Sequence, residues 1–305
     1  MSLKSKFRGS LLGTGIGDAL GRSREARGMI DISDIKKLAD DKTILQYTDD
    51  TQQMISLAEM LIEKEEFDGE YFAERLVKNF DPSRGYGPGS TQAIKAFERG
   101  ESWEEPAKRS FGGEGSYGNG SSMRTAPAGL FCYDDLANLR SFVKDCSRIT
   151  HDHRLGVEGA ILQSASIAIA VREDPSSIDS LDFLEKIRNY VKENEYLEKL
   201  EVIGELLRSD PDRRKFIRSL GNGVEAFNSV PTAVYCFLSN MESFEQAVAY
   251  SISLGGDADT IGAMTGAISG AFHGFESIPD GWIEKLEDKI RIIGLADELF
   301  EVKRG

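Results

Sequence analysis

Glycine recurs at every fourth position near the start of the chain, in Gly9-Ser-Leu-Leu-Gly-Thr-Gly-Ile-Gly-Asp-Ala-Leu-Gly21. Residues four apart lie on one face of an α-helix. Gly9, Gly13, Gly17 and Gly21 therefore predict a helix with a bare stripe that a second backbone can approach closely. The same run is not a dinucleotide fingerprint. Asp18 stands where the last glycine of G-x-G-x-x-G belongs, and no strand precedes it.

Apolar spacing is helical through the rest of the chain. Met54, Ile55, Leu57, Ala58, Leu61 and Ile62 mark one helix face. Comparable runs are Phe72, Leu76, Val77 and Phe80, then Leu181, Leu184, Ile187 and Val191, then Ile283, Leu286, Ile290, Ile293 and Leu299. No stretch alternates over a strand's length between turn dipeptides, so no sheet is expected. The prediction is an all-α fold of roughly a dozen helices at ordinary helix lengths, as one domain over residues 1–305. Two glycine-rich stretches, Tyr86 to Ser90 and Phe111 to Gly120, read as loops. The charged region from Glu185 to Arg218 reads as a solvated helical face.

Charge and cysteine use exclude whole classes. With 37 Lys+Arg against 51 Asp+Glu the net charge is −14, which repels a phosphate backbone and excludes duplex DNA as a partner. A small anion held by local N–H groups stays open. Cys132, Cys146 and Cys236 are far apart and odd in number, so a reducing, cytoplasmic setting is expected. The sequence Met1-Ser-Leu-Lys-Ser-Lys-Phe-Arg8 lacks a signal-peptide core, and the longest weakly polar stretch, Ile261 to Phe275, is too short to span a bilayer. No membrane partner is expected.

Several motifs fail. Gly115 to Ser122 lacks the Gly-Lys-Ser/Thr ending of a phosphate loop, and no His-Glu-x-x-His occurs. His151-Asp152-His153 hints at zinc, but His273 is remote in sequence, and a helix-terminal histidine with a polar role fits better.

Two clusters concentrate hard oxygen donors. Tyr47-Thr-Asp-Asp-Thr51 directly precedes a helix expected to start near Gln52, and Gly255-Gly-Asp-Ala-Asp-Thr260 precedes a small-residue helix, Ile261 to Phe272. Helix capping is the plain alternative, but capping needs one side-chain oxygen at each end. If the clusters converge, Asp49, Asp50, Asp257 and Asp259 bring four carboxylates together, which raises their pKa values unless cations neutralise them. An all-oxygen donor set selects Mg²⁺, Ca²⁺ or Mn²⁺. Gly262, Ala263, Gly266, Ala267, Gly270 and Ala271 let the second helix pack deeply and carry its aspartates into the middle of a bundle.

These residues carry a family resemblance. The chain resembles the ADP-ribosylglycohydrolases, and within them the branch of ADP-ribosylhydrolase 3, which hydrolyses serine-ADP-ribose and poly(ADP-ribose). The matching stretches are the glycine run, Tyr47 to Thr51, Gly115 to Gly120 with Met123-Arg124, Thr150-His151, Gly159 to Gln163, Leu220 to Gly223, Ser229 to Phe237 and Gly255 to Thr260. They keep one order over nearly the whole chain. The resemblance implies a monomeric orthogonal helical bundle with two central Mg²⁺ ions, for which Mn²⁺ can substitute. It names Thr48, Asp49, Asp50, Asp257, Asp259 and Thr260 as metal ligands, with Asp259 bridging, and Glu25 as a mobile glutamate that contacts metal and gates the cleft. It further implies that Glu114, Gly115, Ser116, Tyr117, Gly118, Asn119 and Gly120 cradle a diphosphate, that Phe111 and Tyr117 stack on adenine, and that Asp49, His151 and Val224 contact substrate. Glu25 as a surface charge and Phe111 as plain core are the simpler alternatives. Two positions depart from the pattern: Ala258 between the aspartates, and the negative Glu114 beside the expected diphosphate.

The expected activity is Mg²⁺-dependent hydrolysis of the O-glycosidic bond at the anomeric carbon of ADP-ribose on serine-modified proteins, extending to poly(ADP-ribose) or O-acetyl-ADP-ribose. Glu25 and Asp259 are the candidate catalytic carboxylates, with Glu25 preferred as acid/base. An arginine-specific ADP-ribosyl hydrolase and a non-enzymatic ADP-ribose binder are the rival expectations.

Overall fold

A computed structural model describes residues 1–209 and 212–304. Among these residues there are seventeen α-helices and no strand; backbone pairing outside helices is limited to isolated bridges. The helix count exceeds the expected dozen because short pieces such as Pro106–Arg109 and Asp280–Lys285 stand as separate helices.

The glycine run forms the Leu3–Gly21 helix, and its stripe meets the Ala258–His273 helix backbone to backbone. Gly9 faces Gly270, Gly13 faces Gly266, Gly17 faces Gly262, and Gly21 faces Ala258. A methyl group added at Gly17 would stand 2.0 Å from the Gly262 carbonyl oxygen, and one at Gly13 would stand 2.1 Å from that of Gly266. Because both walls are backbone, neither can yield by rotating a side chain. Gly17→Ala is therefore expected to cost about 3 kcal/mol or more, the upper range for overpacking. Urea unfolding would read this as a lower midpoint at unchanged slope; an unchanged midpoint would mean that the seam can part freely.

The other elements wrap this pair. The Arg154–Arg172 helix is the longest apolar one, exceeding the Ile261 to Phe275 stretch singled out above. It is long and apolar enough to cross a membrane by composition, but 89% of its apolar window is buried inside the bundle. Gln163 on it donates to Met264 O at 2.9 Å. The charged region becomes the Ser180–Arg188, Asn194–Ser209 and Arg213–Leu220 helices, which bury Phe183, Ile187, Tyr196, Leu200, Ile203 and Phe216 and leave their charges outward. One hydrophobic core runs from Phe7 to Phe300.

Three expectations need correcting. Pro88-Gly-Ser90 is the first turn of the Pro88–Glu98 helix, not loop, because proline at the first helical position gives up no needed N–H. The run from Ile283 to Leu299 is two helices, Asp280–Lys285 and Lys289–Arg304, and Ile290 is 81% exposed. The break at Leu286 to Asp288 frees Glu287 to accept from Tyr47 N at 2.7 Å, and Asp288 to accept from Tyr47 Oη at 2.7 Å. Finally, both acidic clusters begin their helices rather than preceding them. Asp49–Lys64 starts at Asp49 with Thr48 as N-cap, and Ala258–His273 starts with Asp257 at the cap position.

Candidate active site

The Leu3–Gly21 helix organises the site. Its glycine stripe fixes the start of the Ala258–His273 helix beside Gly21, after which the chain turns through Arg22–Arg24 to Glu25. Ala26 N donates to Gly256 O at 2.7 Å and Gly256 N to Arg27 O at 3.0 Å, so the Glu25 segment is pinned to the second acidic loop. Asp18, on the same helix, holds the first cluster. Its carboxylate accepts from Thr48 N at 2.9 Å, Thr51 N at 3.1 Å and Thr51 Oγ1 at 2.6 Å. Asp18, with the Thr48 side chain, thus caps the Asp49–Lys64 helix and leaves Asp49 and Asp50 free for other work.

The clusters, some two hundred residues apart in sequence, line one cavity of about 480 Å³. Asp49, Asp50, Asp257, Asp259 and Thr260 line it, and so does Glu25. Each of these four aspartates accepts a hydrogen bond from a neighbour. Asp49 accepts from Gln53 Nε2 at 2.8 Å, Asp50 from Thr48 Oγ1 at 3.1 Å, Asp257 from the Asn119 amide, and Asp259 from Thr260 N at 2.9 Å. Asp50 Oδ1 is buried without a partner. Burial is the largest influence on all of them. It pushes Asp18 up to about 6, against the hydrogen bonds from Thr51 and Thr48, and Asp49 up to about 7, with the Asp18 charge adding. Asp50 and Asp259 lie well above the usual carboxylate range, from burial and then from neighbouring carboxylates. Asp257 is raised as well, by burial, with Asn119 opposing. Among the described residues, no lysine or arginine pairs with these five aspartates. Nor do any three acidic, His or Cys side chains stand gathered closely enough to form a ready cation cage. Uncompensated carboxylates repel one another, and a set held apart by its own charge is the expected result.

Much of the remaining lining is apolar and glycine-rich. The loop from Ser116 to Gly120 pairs with the segment from Val224 to Ala226: Asn119 N donates to Val224 O at 3.0 Å and Ala226 N to Tyr117 O at 3.0 Å. Ser116, Tyr117, Gly118, Asn119 and Gly120 all line the cavity. Phe111, Tyr117 and Val224 line it too, at 57%, 48% and 62% exposure. Phe111 is therefore not core, and its φ of +52° holds an aromatic ring in a backbone conformation that a bulky residue rarely adopts. His151 is buried at the cavity wall, with a pKa pushed down to about 3 by burial and then by the nearby Arg124 charge. His153 caps the Arg154–Arg172 helix, accepting from Leu155 N at 3.2 Å, as a helix-terminal polar role requires.

Three expected site residues stand off the cavity. Thr48 is buried beside Asp50 but does not line it, Glu114 is exposed outside it, and Gly115 is packed against the His153 backbone. Glu114 consequently puts no charge against a cavity ligand. Ala258 is buried in the seam, facing Gly21. Sequence reasoning missed Asp18 and Gln53, gave Arg124 no role, and missed the Gly85 to Ser90 wall with Met123 and Glu225. A lone carboxylate amid glycines and apolar residues is the signal that could have found Asp18. Such a residue, once buried, must have partners.

Comparison with known proteins follows the same architecture. The sequence model of the family described as ADP-ribosylglycohydrolase matches residues 1–305. ADP-ribosylhydrolase ARH3 of Bos taurus is 36% identical over 98% of this chain and 93% of its own length. ADP-ribosylarginine hydrolase Tri1 of Serratia proteamaculans is 29% identical over 97% of this chain and 79% of its own length. A solved structure titled ADP-ribosylglycohydrolase-related protein complex superposes with a TM-score of 0.77 at 24% identity, covering 99% of both chains. An all-α bundle assembled on a glycine seam, with this family model matching from end to end, shows that the chain belongs to the ADP-ribosylglycohydrolase family, hydrolases acting on glycosyl compounds.

Proposed function

We propose that this protein is a Mg²⁺-dependent ADP-ribosylhydrolase that cleaves the O-glycosidic bond between serine and the anomeric carbon of ADP-ribose. One observation carries the reading: acidic residues from two distant clusters line a single cavity together with a glycine loop and exposed apolar side chains. About 480 Å³ is within the usual range for a small-molecule site. Phe111 and Tyr117 provide ring faces for a base, and Gly118 to Gly120, which line the same cavity, are proposed to face the diphosphate.

The donor set fits hard divalent cations. All donors are oxygens, Asp50 Oδ1 is buried without a partner, and Asp50 and Asp259 are raised by burial and then by neighbouring carboxylates. Asp49, Asp50, Asp257, Asp259 and Thr260 would hold two Mg²⁺ ions, or Mn²⁺ in their place, with Thr48 and Glu25 beside them. Such ions, when bound, polarise ribose hydroxyls and water. In the reaction a water oxygen bonds to the anomeric carbon and gives up a proton, the bond from that carbon to the serine oxygen breaks, and the serine oxygen gains a proton. Glu25, at the rim and close enough to act on Asp257 and Asp259 through its charge, serves as acid/base, and Asp259 stabilises the oxocarbenium-like centre. Poly(ADP-ribose) and O-acetyl-ADP-ribose present the same anomeric carbon–oxygen bond and are proposed as further substrates. We place the enzyme in the cytoplasm, a reading supported by three buried, free thiols whose pKa values are raised by burial, and propose that it acts as a monomer.

Paired peptides carrying serine- or arginine-linked ADP-ribose test the specificity. Mg²⁺-dependent release from serine alone is expected. Release from arginine alone would replace this reading with that of the arginine hydrolases, and calorimetric binding of ADP-ribose with no turnover would replace it with a binder. For Glu25→Gln a kcat loss of about 100-fold or more is expected, the scale of acid/base catalysis, with little change in ADP-ribose affinity. A kcat near that of the unmodified enzyme would remove Glu25 from the catalytic set.

A further inference from the structure

Arg124 is a fully buried cation with no carboxylate partner, at 1% exposure. It donates instead to neutral acceptors: Gln53 Oε1 at 2.9 Å, Thr150 Oγ1 at 2.8 Å and Cys146 O at 3.1 Å, and its guanidinium lies 5.4 Å from the Phe72 ring centroid. Burying a charge without an opposite charge is costly, so the arrangement calls for a role. Two of its partners lead to the cavity. Gln53 passes the contact on to Asp49, as described above. Thr150 Oγ1 lies 2.7 Å from His151 Nδ1.

Proton direction along that second path is fixed by what each group can do. Guanidinium donates only and cannot accept. Thr150 Oγ1 must therefore accept from Arg124, and its own hydroxyl hydrogen has one acceptor within hydrogen-bond distance among the described residues, His151 Nδ1. An Nδ1 that accepts leaves the hydrogen of a neutral imidazole on Nε2. That nitrogen reaches the glycine loop: a methyl group at Gly120 would stand 3.0 Å from Nε2, and one at Gly118 would stand 3.6 Å from it. We infer that Arg124, acting through Thr150, is a positioning residue that locks His151 as the Nε2–H tautomer and presents one fixed hydrogen-bond donor to an anionic ligand at the glycine loop. The opposite tautomer would present a lone pair to that anion. The inference rests on the ADP-ribose reading only for the identity of the anion.

The test uses the full chain with ¹⁵N-labelled histidine. There are three histidines, and His151→Asn identifies the His151 signals. The expected spectrum has a pyridine-like Nδ1 and a pyrrole-like Nε2 for His151. Thr150→Val, close in size and lacking the hydroxyl, is expected to lose that pattern and to weaken ADP-ribose binding about tenfold by calorimetry, with kcat changed far less than KM. Thr150→Ser restores both. A pyrrole-like Nδ1 in the unmodified protein overturns the inference, as does a Thr150→Val protein with unchanged tautomer and affinity. If the unmodified protein shows the expected tautomer but binds no ADP-ribose, the tautomer lock stands and the ADP-ribose reading falls.

Discussion

Alanine at both Asp257 and Asp259 is expected to reduce ADP-ribose release from a serine-modified peptide by on the order of 1000-fold or more, while leaving the cation-free protein at least as stable as before. The activity loss follows from scale. Cation assistance supplies several kcal/mol of transition-state stabilisation, and each 1.4 kcal/mol is a factor of about ten in rate. The stability half runs against the usual effect of substitution at a buried site. Both aspartates are desolvated, Asp257 raises the pKa of Asp259 and both raise that of Asp50, and neither pairs with a cationic side chain. Asp257 makes no side-chain capping bond to its helix, and alanine at Asp259 gives up one acceptor, that of Thr260 N in the first turn. Asn119, which donates to Asp257, keeps its second acceptor, Ser229 Oγ, at 3.0 Å. Removing two repelling, buried carboxylates therefore relieves more than it loses. Peptide turnover and urea unfolding in chelator, measured on the same preparation, separate the outcomes. Undiminished turnover by the folded double variant would refute the metal role. A large loss of stability in chelator would show that these aspartates serve the bundle rather than the site.

Much of this architecture is legible in the sequence, and what is hidden has identifiable causes. The glycine stripe can be read because a four-residue spacing has one geometric meaning on a helix, and the seam with Gly262, Gly266 and Gly270 follows that meaning. The acidic clusters can be read because they hold more side-chain oxygens than capping needs. The meeting of the two clusters is a long-range fact that local spacing cannot dictate, and here the seam brings it about. Helix boundaries are displaced by three residues at both clusters; at the first, Asp18 accepts from Thr48 N and Thr51 N and so lets the helix start at Asp49. The break at Leu286 to Asp288 is hidden because apolar periodicity runs straight through it, and only the partners of Glu287 and Asp288 explain it. Arg124 is the least legible residue. Nothing in a single sequence marks an arginine that is buried for its hydrogen-bond direction rather than for its charge.

Chelated protein is expected to lose stability as pH rises from about 4 to about 7, and excess Mg²⁺ to restore it chiefly at the upper end of that range. The sign follows from the direction of the pKa shifts. An aspartate titrates near 3.9 in an unfolded chain, whereas in the cation-free fold Asp18 is raised to about 6 and Asp49 to about 7, with Asp50 and Asp259 well above their ordinary range. Between the unfolded and folded values the native state binds more protons than the unfolded state. Stability therefore falls as pH rises through that window. Each tenfold change in proton affinity is worth about 1.4 kcal/mol, so even partial expression of these shifts produces a slope visible in thermal unfolding. A divalent cation competes with those protons for the same oxygens. At about pH 7.5 an ion present at roughly 1000 times its dissociation constant adds about 4 kcal/mol. At about pH 5, with the carboxyls protonated, the same concentration adds much less. The Asp257→Ala, Asp259→Ala protein should show a flatter pH profile and a smaller Mg²⁺ response. A level pH profile in chelator, or equal Mg²⁺ stabilisation at both pH values, would mean that the buried carboxylates are already neutralised by something other than protons or cations. That would undo the electrostatic case for the metal pair independently of any activity measurement.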